Sequence, residues 1–373
     1  MTFSNFPLSP EIKSALANLK FREPFPIQIE GIPNIIEGKD ILGIAKTGSG
    51  KTATYVLPIL HLLKLQPSRK TRMVSALILV PTRELCAQVQ NFIHDVSTFL
   101  MPPVKSLAVF GGVSINPQMK ALFGVEILVA TPGRLLELVD VKAVDLSQVK
   151  MLVLDEADKL LNPGFKVELS KILTLLPNKR QTCLFSATLS SEVLALQSLL
   201  LQDPITIKIE TEPDQEVQIN QTAYLISDER KGPFLRELIN KHTMSQVLVF
   251  ASSSQKADKI CDKLVKNGFN AKAIHGKKSQ GARTSALKEF KDGKLRVLVT
   301  SDLLSRGIDI EFLPFVINYE LPRSPKEFIH RIGRTGRANA VGEAITFVTE
   351  EDKHHFQVIQ KKMGTWLTLI PVE

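Results

Sequence analysis

The sequence contains few cysteines, tryptophans and tyrosines. Its 373 residues include three Cys, one Trp and three Tyr. Cys86, Cys183 and Cys261 are scattered and odd in number, so they form neither a disulfide framework nor a metal-binding motif, as is typical of proteins in the reducing cytosol. Because Trp and Tyr are so scarce, the sequence also disfavours an aromatic platform of the kind on which nucleic-acid bases stack.

Long apolar runs and an N-terminal targeting signal are absent as well. No stretch approaches the ~20 apolar residues that a membrane-spanning helix needs. Residues 1–10 lack the basic start and the apolar run of a secretory signal. We therefore expect a cytoplasmic protein with no membrane partner. A length of 373 residues, 44% of them hydrophobic, suits two globular domains with hydrophobic cores.

Negative charge is the scarcer sign. The net charge is +9, of which residues 1–210 contribute +4 and residues 211–373 contribute +5. The excess is concentrated at residues 256–296, which carry twelve basic and four acidic side chains. A basic stripe of this kind suits a polyanionic partner. The alternative is a solvated, lysine-rich helix face, and charge alone does not separate the two.

Short apolar runs rich in β-branched residues alternate with helical stretches along both halves. Such runs indicate buried strands of a parallel sheet with helices on both faces. Between the two halves, residues 210–218 are polar and acidic and contain Pro213, which is typical of a linker. The sequence thus predicts two tandem α/β domains, residues 1–209 and 219–373, with a cleft between them. The predicted strands lie at residues 41–45, 76–80, 126–130, 151–155, 182–186, 222–226, 247–250, 271–274, 296–300, 315–319 and 344–348.

A glycine-rich segment directly follows the first predicted strand and precedes a predicted helix, which is the context of a phosphate-binding loop. Gly48 and Gly50 allow backbone N–H groups to turn inward around an anion at a helix N-terminus. Lys51 can reach the β- and γ-phosphates of a nucleotide, and the Thr52 hydroxyl can bind Mg²⁺. The alternative is a glycine-rich turn that binds no nucleotide. The predicted ATP-binding residues of this loop are Ala45, Lys46, Thr47, Gly48, Ser49, Gly50, Lys51 and Thr52.

Two carboxylates follow the strand predicted at residues 151–155. In open α/β sheets, ligands bind at the carboxyl ends of the strands. Asp155 is therefore predicted to hold Mg²⁺ through water, and Glu156 to position and deprotonate the attacking water. An acidic residue at a strand end is by itself more often a helix N-cap. Beside a phosphate-binding loop, however, the catalytic interpretation is favoured.

The segment Asp155–Asp158 (DEAD) resembles the motif that gives the DEAD-box helicases their name, and further motifs of that family follow in the family's order. Together they cover residues 3 to about 348. The resemblance implies two RecA-like domains that close on ATP, Mg²⁺ and single-stranded RNA. Residues 274–280 look most like the RhlE-like bacterial branch of the family. The further motifs are Pro81–Leu85, Gly111–Gly112, Thr131–Arg134, Ser186–Thr188, Gln280 with Arg283, Ser305–Asp309 and His330–Arg337.

Residues 21–28 resemble the Q motif of the family, which selects adenine. The Gln28 carboxamide can accept a hydrogen bond from the exocyclic amine of adenine and donate one to N7. Phe3 matches the upstream aromatic residue that stacks on the base, although it could instead pack against the first helix. The sequence departs from the family at Lys20, where Gly is usual, and at Phe25, where Thr or Ser is usual. The missing hydroxyl puts in doubt the usual tie between this motif and the phosphate-binding loop.

The remaining motifs imply an RNA groove and a relay between RNA and nucleotide. Backbone N–H groups, hydroxyls and Arg side chains at strand ends and helix starts can position a nucleic-acid strand by its phosphates without reading its sequence. Taken singly, each motif is equally compatible with an ordinary loop or N-cap. The implied RNA-binding residues are Pro81, Thr82, Arg83, Gly112, Thr131, Gly133, Arg134, His275, Gln280, Arg283, Thr300, Asp302 and Arg306. The implied coupling residues are Asp158, Ser186, Thr188 and Arg331, the implied catalytic residues of the second domain are His330, Arg334 and Arg337, and Phe21, Gly307 and Asp309 join the ATP site.

Three functional interpretations compete: an ATPase that unwinds RNA, an ATP-gated RNA clamp with little turnover, and a DNA-directed motor. The presence of Lys51, Glu156 and Arg334 disfavours the clamp, because a clamp does not need them. A preference for RNA over DNA requires contacts with the 2′-OH and follows here from the resemblance alone. We expect a monomer. Because the chain ends soon after the second domain without a basic tail, we also expect a protein or ribonucleoprotein partner that supplies specificity.

Overall fold

The computed structural model describes residues 2–46, 48–65, 73–209, 219–242, 244–301, 313–336 and 341–372. The chain divides into two compact units, Met1–Glu210 and Thr211–Glu373. Each unit contains a seven-stranded sheet whose strand pairs are all parallel and whose faces are covered by helices. This architecture confirms the predicted fold class of two tandem RecA-like α/β units. Within the ranges given above, no helix is long and apolar enough to cross a membrane.

The sheet of the first unit has the strand order β3-β4-β2-β5-β6-β1-β7. Its strands are β1 (Ile41–Ile44), β2 (Ala76–Leu79), β3 (Ser106–Val109), β4 (Ile127–Ala130), β5 (Met151–Leu154), β6 (Gln181–Ser186) and β7 (Ile205–Lys208). Its helices are α1 (Pro10–Asn18), α2 (Pro26–Ile36), α3 (Lys51–Lys64), α4 (Arg83–Ser97), α5 (Ile115–Ala121), α6 (Pro132–Asp140), α7 (Ala157–Leu160), α8 (Pro163–Thr174) and α9 (Ser191–Leu200), preceded by a short 3₁₀ helix, Phe3–Asn5.

Two hydrophobic cores, one on each face, hold the first sheet in place. Four of the five inner strands, β1, β2, β4 and β5, are buried along their whole length, and the fifth, β6, is buried after its first residue. Because each strand sends alternate side chains to opposite faces, such continuous burial requires a helical layer on both sides. Tyr55, Ile78 and Phe185 belong to one core, and Leu77 and Leu154 belong to the other. This packing fixes the carboxyl ends of β1 and β5 in one sheet, where the loops that follow them can form a site.

The sheet of the second unit has the strand order β10-β11-β9-β12-β13-β8-β14. Its strands are β8 (Ile219–Leu225), β9 (Val247–Ala251), β10 (Ala271–Ile274), β11 (Val297–Ser301), β12 (Phe315–Asn318), β13 (Gly342–Val348) and β14 (Leu369–Pro371). Its helices, in the part of the chain that the structure describes, are α10 (Asp228–Lys241), α11 (Ser254–Lys266), α12 (Gln280–Lys291), α13 (Pro325–Ile332) and α14 (Lys353–Met363).

Candidate active site

The loop after β1 has the backbone conformation of an anion cradle. Gly48 and Gly50 adopt positive φ angles of 79° and 87°, which glycine reaches without the steric cost of a side chain. Gly50 is the N-cap of α3, so the positive end of the helix dipole points into the loop. A Cβ atom at Gly50 would lie 2.3 Å from Gln28 Nε2, so a larger residue here would displace the Gln28 carboxamide. Thr47 lies outside the described residues.

Lys51 is folded back onto this loop. Its Nζ donates hydrogen bonds to the carbonyl oxygens of Ala45 (2.6 Å) and Lys46 (2.8 Å), and the side chain is only 8% exposed. Burial lowers the pKa of Lys51, and the nearby carboxylates of Asp155 and Glu156 act in the opposite direction. A phosphate group that binds the loop can replace the two carbonyl oxygens as the partner of this ammonium group.

Asp155, the first residue after β5, is fixed through both of its oxygens. Oδ1 accepts a hydrogen bond from the backbone N–H of Glu156 (2.8 Å), and Oδ2 accepts one from the hydroxyl of Tyr55 (2.8 Å). Burial raises the pKa of Asp155, whereas the positive charge of Lys51 lowers it. Tyr55 lies four residues after Lys51 on α3. The sequence motifs gave no indication of it, because its partner is 100 residues away.

Glu156 has a left-handed backbone conformation, and only one of its two carboxylate oxygens accepts a hydrogen bond among the described residues. Its φ of 53° and ψ of 48° lie in the left-handed region, a strained conformation that is common at functional sites. Oε1 accepts a hydrogen bond from Lys159 Nζ at 2.7 Å. Oε2 is buried and has no hydrogen-bond partner among the described residues. This oxygen is therefore an available acceptor for a water molecule. Lys159 was not among the predicted site residues.

The donor set suits a nucleoside polyphosphate together with a hard divalent cation. The Ser49 hydroxyl, like Glu156 Oε2, is buried without a hydrogen-bond partner in the part of the chain described, so each can take a ligand atom. Asp155 supplies one carboxylate, and Thr52 supplies a hydroxyl in the first turn of α3. No group of three or more His, Cys, Asp or Glu residues forms a metal cage within the described ranges. This arrangement fits Mg²⁺, which usually binds one or two carboxylates and substrate phosphates rather than a protein cage.

Gln28 connects the predicted adenine-binding motif to the phosphate-binding loop. Its Oε1 accepts a hydrogen bond from Phe25 N (2.9 Å), and its Nε2 donates one to the carbonyl oxygen of Gly50 (3.0 Å). Phe25 has no hydroxyl that could link this motif to the phosphate-binding loop, and the Gln28 carboxamide forms the link instead. Because a carboxamide has two acceptor lone pairs and two donor hydrogens, one of each remains for a base. The role of Gln28 in adenine selection stays a prediction.

Phe3 lies in an aromatic cluster and not on an open surface. Its ring centroid is 5.7 Å from that of Phe6 and 6.1 Å from that of Phe21, which in turn is 5.7 Å from Phe92. Phe3 is only 5% exposed. This burial favours the alternative in which Phe3 packs at the start of the fold. Stacking of Phe3 on a base stays a prediction that requires the ring to become exposed.

The predicted coupling residues of the first unit lie close together. Ser186 Oγ is 3.1 Å from Asp158 Oδ1 and 2.8 Å from the carbonyl oxygen of Thr188, and its single proton can serve only one of them at a time. The backbone N–H of Thr188 donates to the same hydroxyl at 3.3 Å. These hydrogen bonds connect the end of β6 to the acidic segment after β5. The two strands pair in the sheet.

Two arginines hold the Gly111–Gly112 loop beside the predicted RNA groove. The Arg83 guanidinium packs against Gly112, where an added Cβ would lie 2.0 Å from one of its nitrogens. Arg134 donates hydrogen bonds to the Val113 carbonyl (2.8 Å) and to Glu137 Oε2 (2.8 Å). The Arg134 side chain is buried, so its main contacts are to the protein. The two arginines therefore support the loop, and any contact of theirs with RNA stays a prediction.

The other predicted RNA-binding residues of the first unit stand at strand ends and helix starts. Thr82 is the N-cap of α4, and its hydroxyl accepts a hydrogen bond from Leu85 N at 3.3 Å. Thr131 is the N-cap of α6, and Pro81 is buried before α4. A Cβ atom at Gly133 would meet nothing within 4 Å, so the start of α6 is open to a ligand.

Of the four predicted RNA-binding side chains of the second unit that the structure describes, three are buried. His275 Nε2 lies 3.0 Å from Asp258 Oδ1, and Lys278 Nζ lies 2.9 Å from the same oxygen. Gln280 begins α12, and Arg283 is buried one turn later. Thr300 is fully buried at the end of β11, where its hydroxyl donates a hydrogen bond to the Ser301 carbonyl at 3.3 Å, and its contact with RNA stays a prediction.

Arg331, the coupling residue that the resemblance implies in the second unit, contacts residues of that unit, and its role in coupling stays a prediction. It is fully buried inside the second unit, where its guanidinium donates to Asn318 Oδ1 (3.1 Å) and to the Glu320 carbonyl (2.7 Å) and lies over the ring of Phe250. Because these contacts enclose the side chain, Arg331 anchors α13 to the sheet.

The segment after α13 is held by hydrogen bonds to Leu313 and Pro314. The Arg334 carbonyl accepts a hydrogen bond from Leu313 N (2.9 Å), and Thr335 Oγ1 bonds to the Pro314 carbonyl (3.3 Å). His330 lies half-buried in the last turn of α13. The predicted site residues outside the described ranges are Thr47, Asp302, Arg306, Gly307, Asp309 and Arg337.

Comparisons with known families match both units. Residues 25–196 match the DEAD/DEAH box helicase model, and residues 230–339 match the model of the helicase conserved C-terminal domain. The chain is 38% identical to the ATP-dependent rRNA helicase RRP3 of Meyerozyma guilliermondii, covering 97% of this chain and 76% of that protein. It is 36% identical to the ATP-dependent RNA helicase DeaD of Buchnera aphidicola, covering 98% of this chain but only 60% of that protein.

Two solved structures extend the likeness to three dimensions. The structure of Dbp5 of Saccharomyces cerevisiae bound to RNA and ADP BeF3 aligns over 100% of this chain and 95% of its own, with a TM-score of 0.83 and 28% identity. A DEAD box protein from Methanococcus jannaschii aligns over 100% and 99% of the two chains, with a TM-score of 0.54 and 34% identity.

Proposed function

The chain belongs to the DEAD-box family of ATP-dependent RNA helicases, and we propose that it binds single-stranded RNA across its two units and couples ATP hydrolysis to local duplex unwinding or to remodelling of ribonucleoproteins. The function is an ATP hydrolase activity that serves RNA rearrangement. The support comes from the two matched family models, from RNA helicase relatives in bacteria and fungi, and from the likeness to a structure bound to RNA and ADP BeF3.

One observation carries the proposal. The ammonium group of Lys51 and the carboxylates of Asp155 and Glu156 meet at the carboxyl ends of β1 and β5, beside a glycine loop that opens a helix. A cationic loop next to an acidic strand end is the arrangement that phosphoryl transfer from a nucleotide requires. We therefore place ATP on the loop after β1.

Each residue of this site can be given a role. The backbone N–H groups around Gly48 and Gly50, together with Lys51, would hold the phosphates. Glu156 would orient the attacking water through its free Oε2 and accept its proton. Thr52 and Asp155 would hold Mg²⁺. When bound, this ion neutralises charge that develops on the phosphates. Gln28 would contact the adenine.

The second unit would contribute an arginine to the reaction. Arg334 belongs to the His330–Arg337 motif, and a guanidinium that reaches the transferring phosphoryl group would stabilise its charge. RNA would bind the loops after β2, β3 and β4 of the first unit and those after β10 and β11 of the second. Such a ligand favours closure of the two units only if it binds the closed state better than the open one. RNA should therefore stimulate ATP hydrolysis.

The proposal also covers the branch of the family, the cellular location, the oligomeric state and the partners. The sequence at residues 274–280 supports a place in the RhlE-like bacterial branch. We propose a cytoplasmic, monomeric protein that recognises RNA without sequence preference and has no membrane partner. A protein or ribonucleoprotein partner would supply specificity. A neighbouring structure of Dbp5 with Gle1 and IP6 illustrates such a partner for that protein.

A strand-release assay tests the proposed function. A short RNA duplex with a single-stranded overhang, and a DNA duplex of the same sequence, are incubated with the protein and either ATP or a non-hydrolysable analogue. We expect release of the RNA strand with ATP, and no release from DNA. The Lys51→Ala variant, which lacks the phosphate-binding cation, is the inactive control. RNA binding without strand release or turnover would identify a clamp, and equal release from DNA would identify a DNA motor.

A further inference from the structure

Tyr55 is a buried residue of the candidate active site that none of the sequence motifs includes. It lies on α3 four residues after Lys51, so the two side chains point from the same face of the helix. Its hydroxyl donates a 2.8 Å hydrogen bond to Asp155 Oδ2. Its ring packs against Phe185 of β6, with centroids 5.4 Å apart. The hydroxyl thus reaches the acidic strand end from inside the core.

We infer that Tyr55 is a positioning residue that orients the Asp155 carboxylate for Mg²⁺, an inference that rests on the proposed function. Asp155 accepts one hydrogen bond on each oxygen, from Glu156 N and from the Tyr55 hydroxyl. The Glu156 N–H could donate to any acceptor side chain at position 155, because this hydrogen bond requires only the local turn. The hydroxyl is the one side-chain donor to this carboxylate that the described part of the chain provides.

The physical argument concerns rotation of the carboxylate about its Cβ–Cγ bond. With donors on both oxygens, the plane of the group is set, and the second lone pair of each oxygen has a defined direction. Without the hydroxyl, Oδ2 becomes a buried acceptor that lacks its donor, and the group can turn to seek another partner. Loss of an outer-shell hydrogen bond to a metal-binding side chain typically weakens metal affinity or activity by ~10–100-fold.

The test is Mg²⁺ dependence of nucleotide binding by the full chain. The Tyr55→Phe variant removes one oxygen atom and keeps the ring in the core. Binding of fluorescently labelled ADP is measured at a series of Mg²⁺ concentrations and in EDTA. We expect the Mg²⁺ concentration at half effect to rise by ~10-fold or more in the variant. Nucleotide affinity in EDTA should be unchanged, because Tyr55 is fully buried and its hydroxyl donates to Asp155.

Two control variants separate orientation from packing. Phe185→Leu loosens the contact with the Tyr55 ring but keeps the hydroxyl, and it should lower thermal stability without moving the Mg²⁺ dependence. Tyr224→Phe removes a tyrosine hydroxyl in the second unit and should change neither. An unchanged Mg²⁺ dependence in Tyr55→Phe would overturn the inference, and so would an equal shift in Phe185→Leu.

The failure of the proposed function gives a different result. If ADP binding by the wild-type protein were the same in Mg²⁺ and in EDTA, or if the wild-type protein bound no nucleotide, the Mg²⁺-dependent nucleotide site itself would be wrong, and the inference about Tyr55 would fall with it. If the wild-type protein responds to Mg²⁺ and Tyr55→Phe behaves identically, only the inference about Tyr55 is wrong.

Discussion

The second sheet repeats the first strand for strand, with β8 in the position of β1 and β12 in the position of β5. The loops that follow these strands differ completely. After β1 comes a loop with two left-handed glycines and then Lys51. After β8, only two residues precede α10, whose first turn contains Asp228 and Glu229. Carboxylates at a helix N-terminus repel the anion that the first loop is built to accept.

The ends of β5 and β12 differ in the same way. Glu156 keeps one buried oxygen without a partner among the described residues. Glu320, at the corresponding place after β12, is committed to the protein: it accepts a hydrogen bond from Ser252 N at 2.7 Å and is paired with Lys256. Burial acts to raise the pKa of Glu320, but these partners hold it below its usual value. The same sheet therefore carries the candidate site in the first unit and a closed carboxylate in the second, because the loops and not the sheet determine the chemistry.

The largest expected change in the rate of ATP hydrolysis tests whether the second unit contributes a residue to the reaction. Arg334→Ala should reduce RNA-stimulated ATP hydrolysis by ~10³–10⁵-fold, the usual contribution of an arginine finger. ATP affinity should stay close to that of the wild-type protein, because the phosphate-binding loop lies in the first unit. Steady-state ATPase rates and nucleotide binding are measured, with Arg323→Ala, an exposed arginine of the same unit, as the control. A normal rate in Arg334→Ala would mean that the first unit holds a complete active site.

The next prediction compares the corresponding glutamates of the two units. Glu156→Gln should keep ATP and RNA binding but lower hydrolysis by ~10²–10⁴-fold, because an amide cannot accept the proton of water. Glu320→Gln should leave hydrolysis essentially unchanged, because its partners are protein groups. Single-turnover ATP hydrolysis measures both. Similar losses in the two variants would show that the comparison of the two strand ends is wrong.

Nucleotide selectivity gives a smaller effect. Gln28→Ala should weaken ATP binding more than GTP binding, since one bidentate contact with a base contributes ~1–3 kcal/mol. The same substitution also removes the hydrogen bonds to Phe25 N and to the Gly50 carbonyl. The ratio of ATP to GTP affinity, measured by competition with labelled ADP, separates the two roles. An equal loss for both nucleotides would assign Gln28 to support of the loop alone.

The smallest effect concerns stability of the first unit. Lys20 has a φ of 63° and follows α1 in a Schellman turn, where Lys20 N bonds to Ala17 O and Phe21 N bonds to Leu16 O. A non-glycine residue in the left-handed conformation lowers the free energy of unfolding by roughly 1–2 kcal/mol. Glycine avoids this cost, but its extra backbone entropy in the unfolded chain lowers stability by roughly 0.5–1 kcal/mol. Lys20→Gly should therefore stabilise the unit by about 0.5–1 kcal/mol, which raises Tm by roughly 1–4 °C.

Two further lysines serve as comparisons for that experiment. Lys142 follows α6 in the same kind of turn with a φ of 54°, so Lys142→Gly should give a similar gain. Lys13 lies inside α1, where glycine lowers helix stability by ~1 kcal/mol, so Lys13→Gly should lower Tm. A loss of stability in Lys20→Gly would show that the lysine side chain contributes more than its backbone conformation costs.

The sequence alone predicted the parts of the fold that are encoded locally. Each of the eleven runs corresponds to a strand. Nine of these strands are buried along all or nearly all of their length, because burial on both faces makes a strand continuously apolar, whereas β8 and β10 are only partly buried. The strands that the sequence did not predict are β3, β7 and β14, and all three lie at sheet edges. Their residues are partly exposed, so they show no continuous apolar run. The glycine loop and the acidic strand end could also be predicted from the sequence, because the functional residues of each lie within one short segment.

Contacts between distant segments were decided only by the tertiary structure. Tyr55 and Asp155 are 100 residues apart, and they meet because the sheet places the ends of β1 and β5 close together. The Gln28 tie to Gly50 and the burial of Arg331 have the same origin. A residue type indicates which hydrogen bonds a side chain can form. Its partner depends on strand order and on the packing of helices against the sheet, and no single segment of the sequence carries that information.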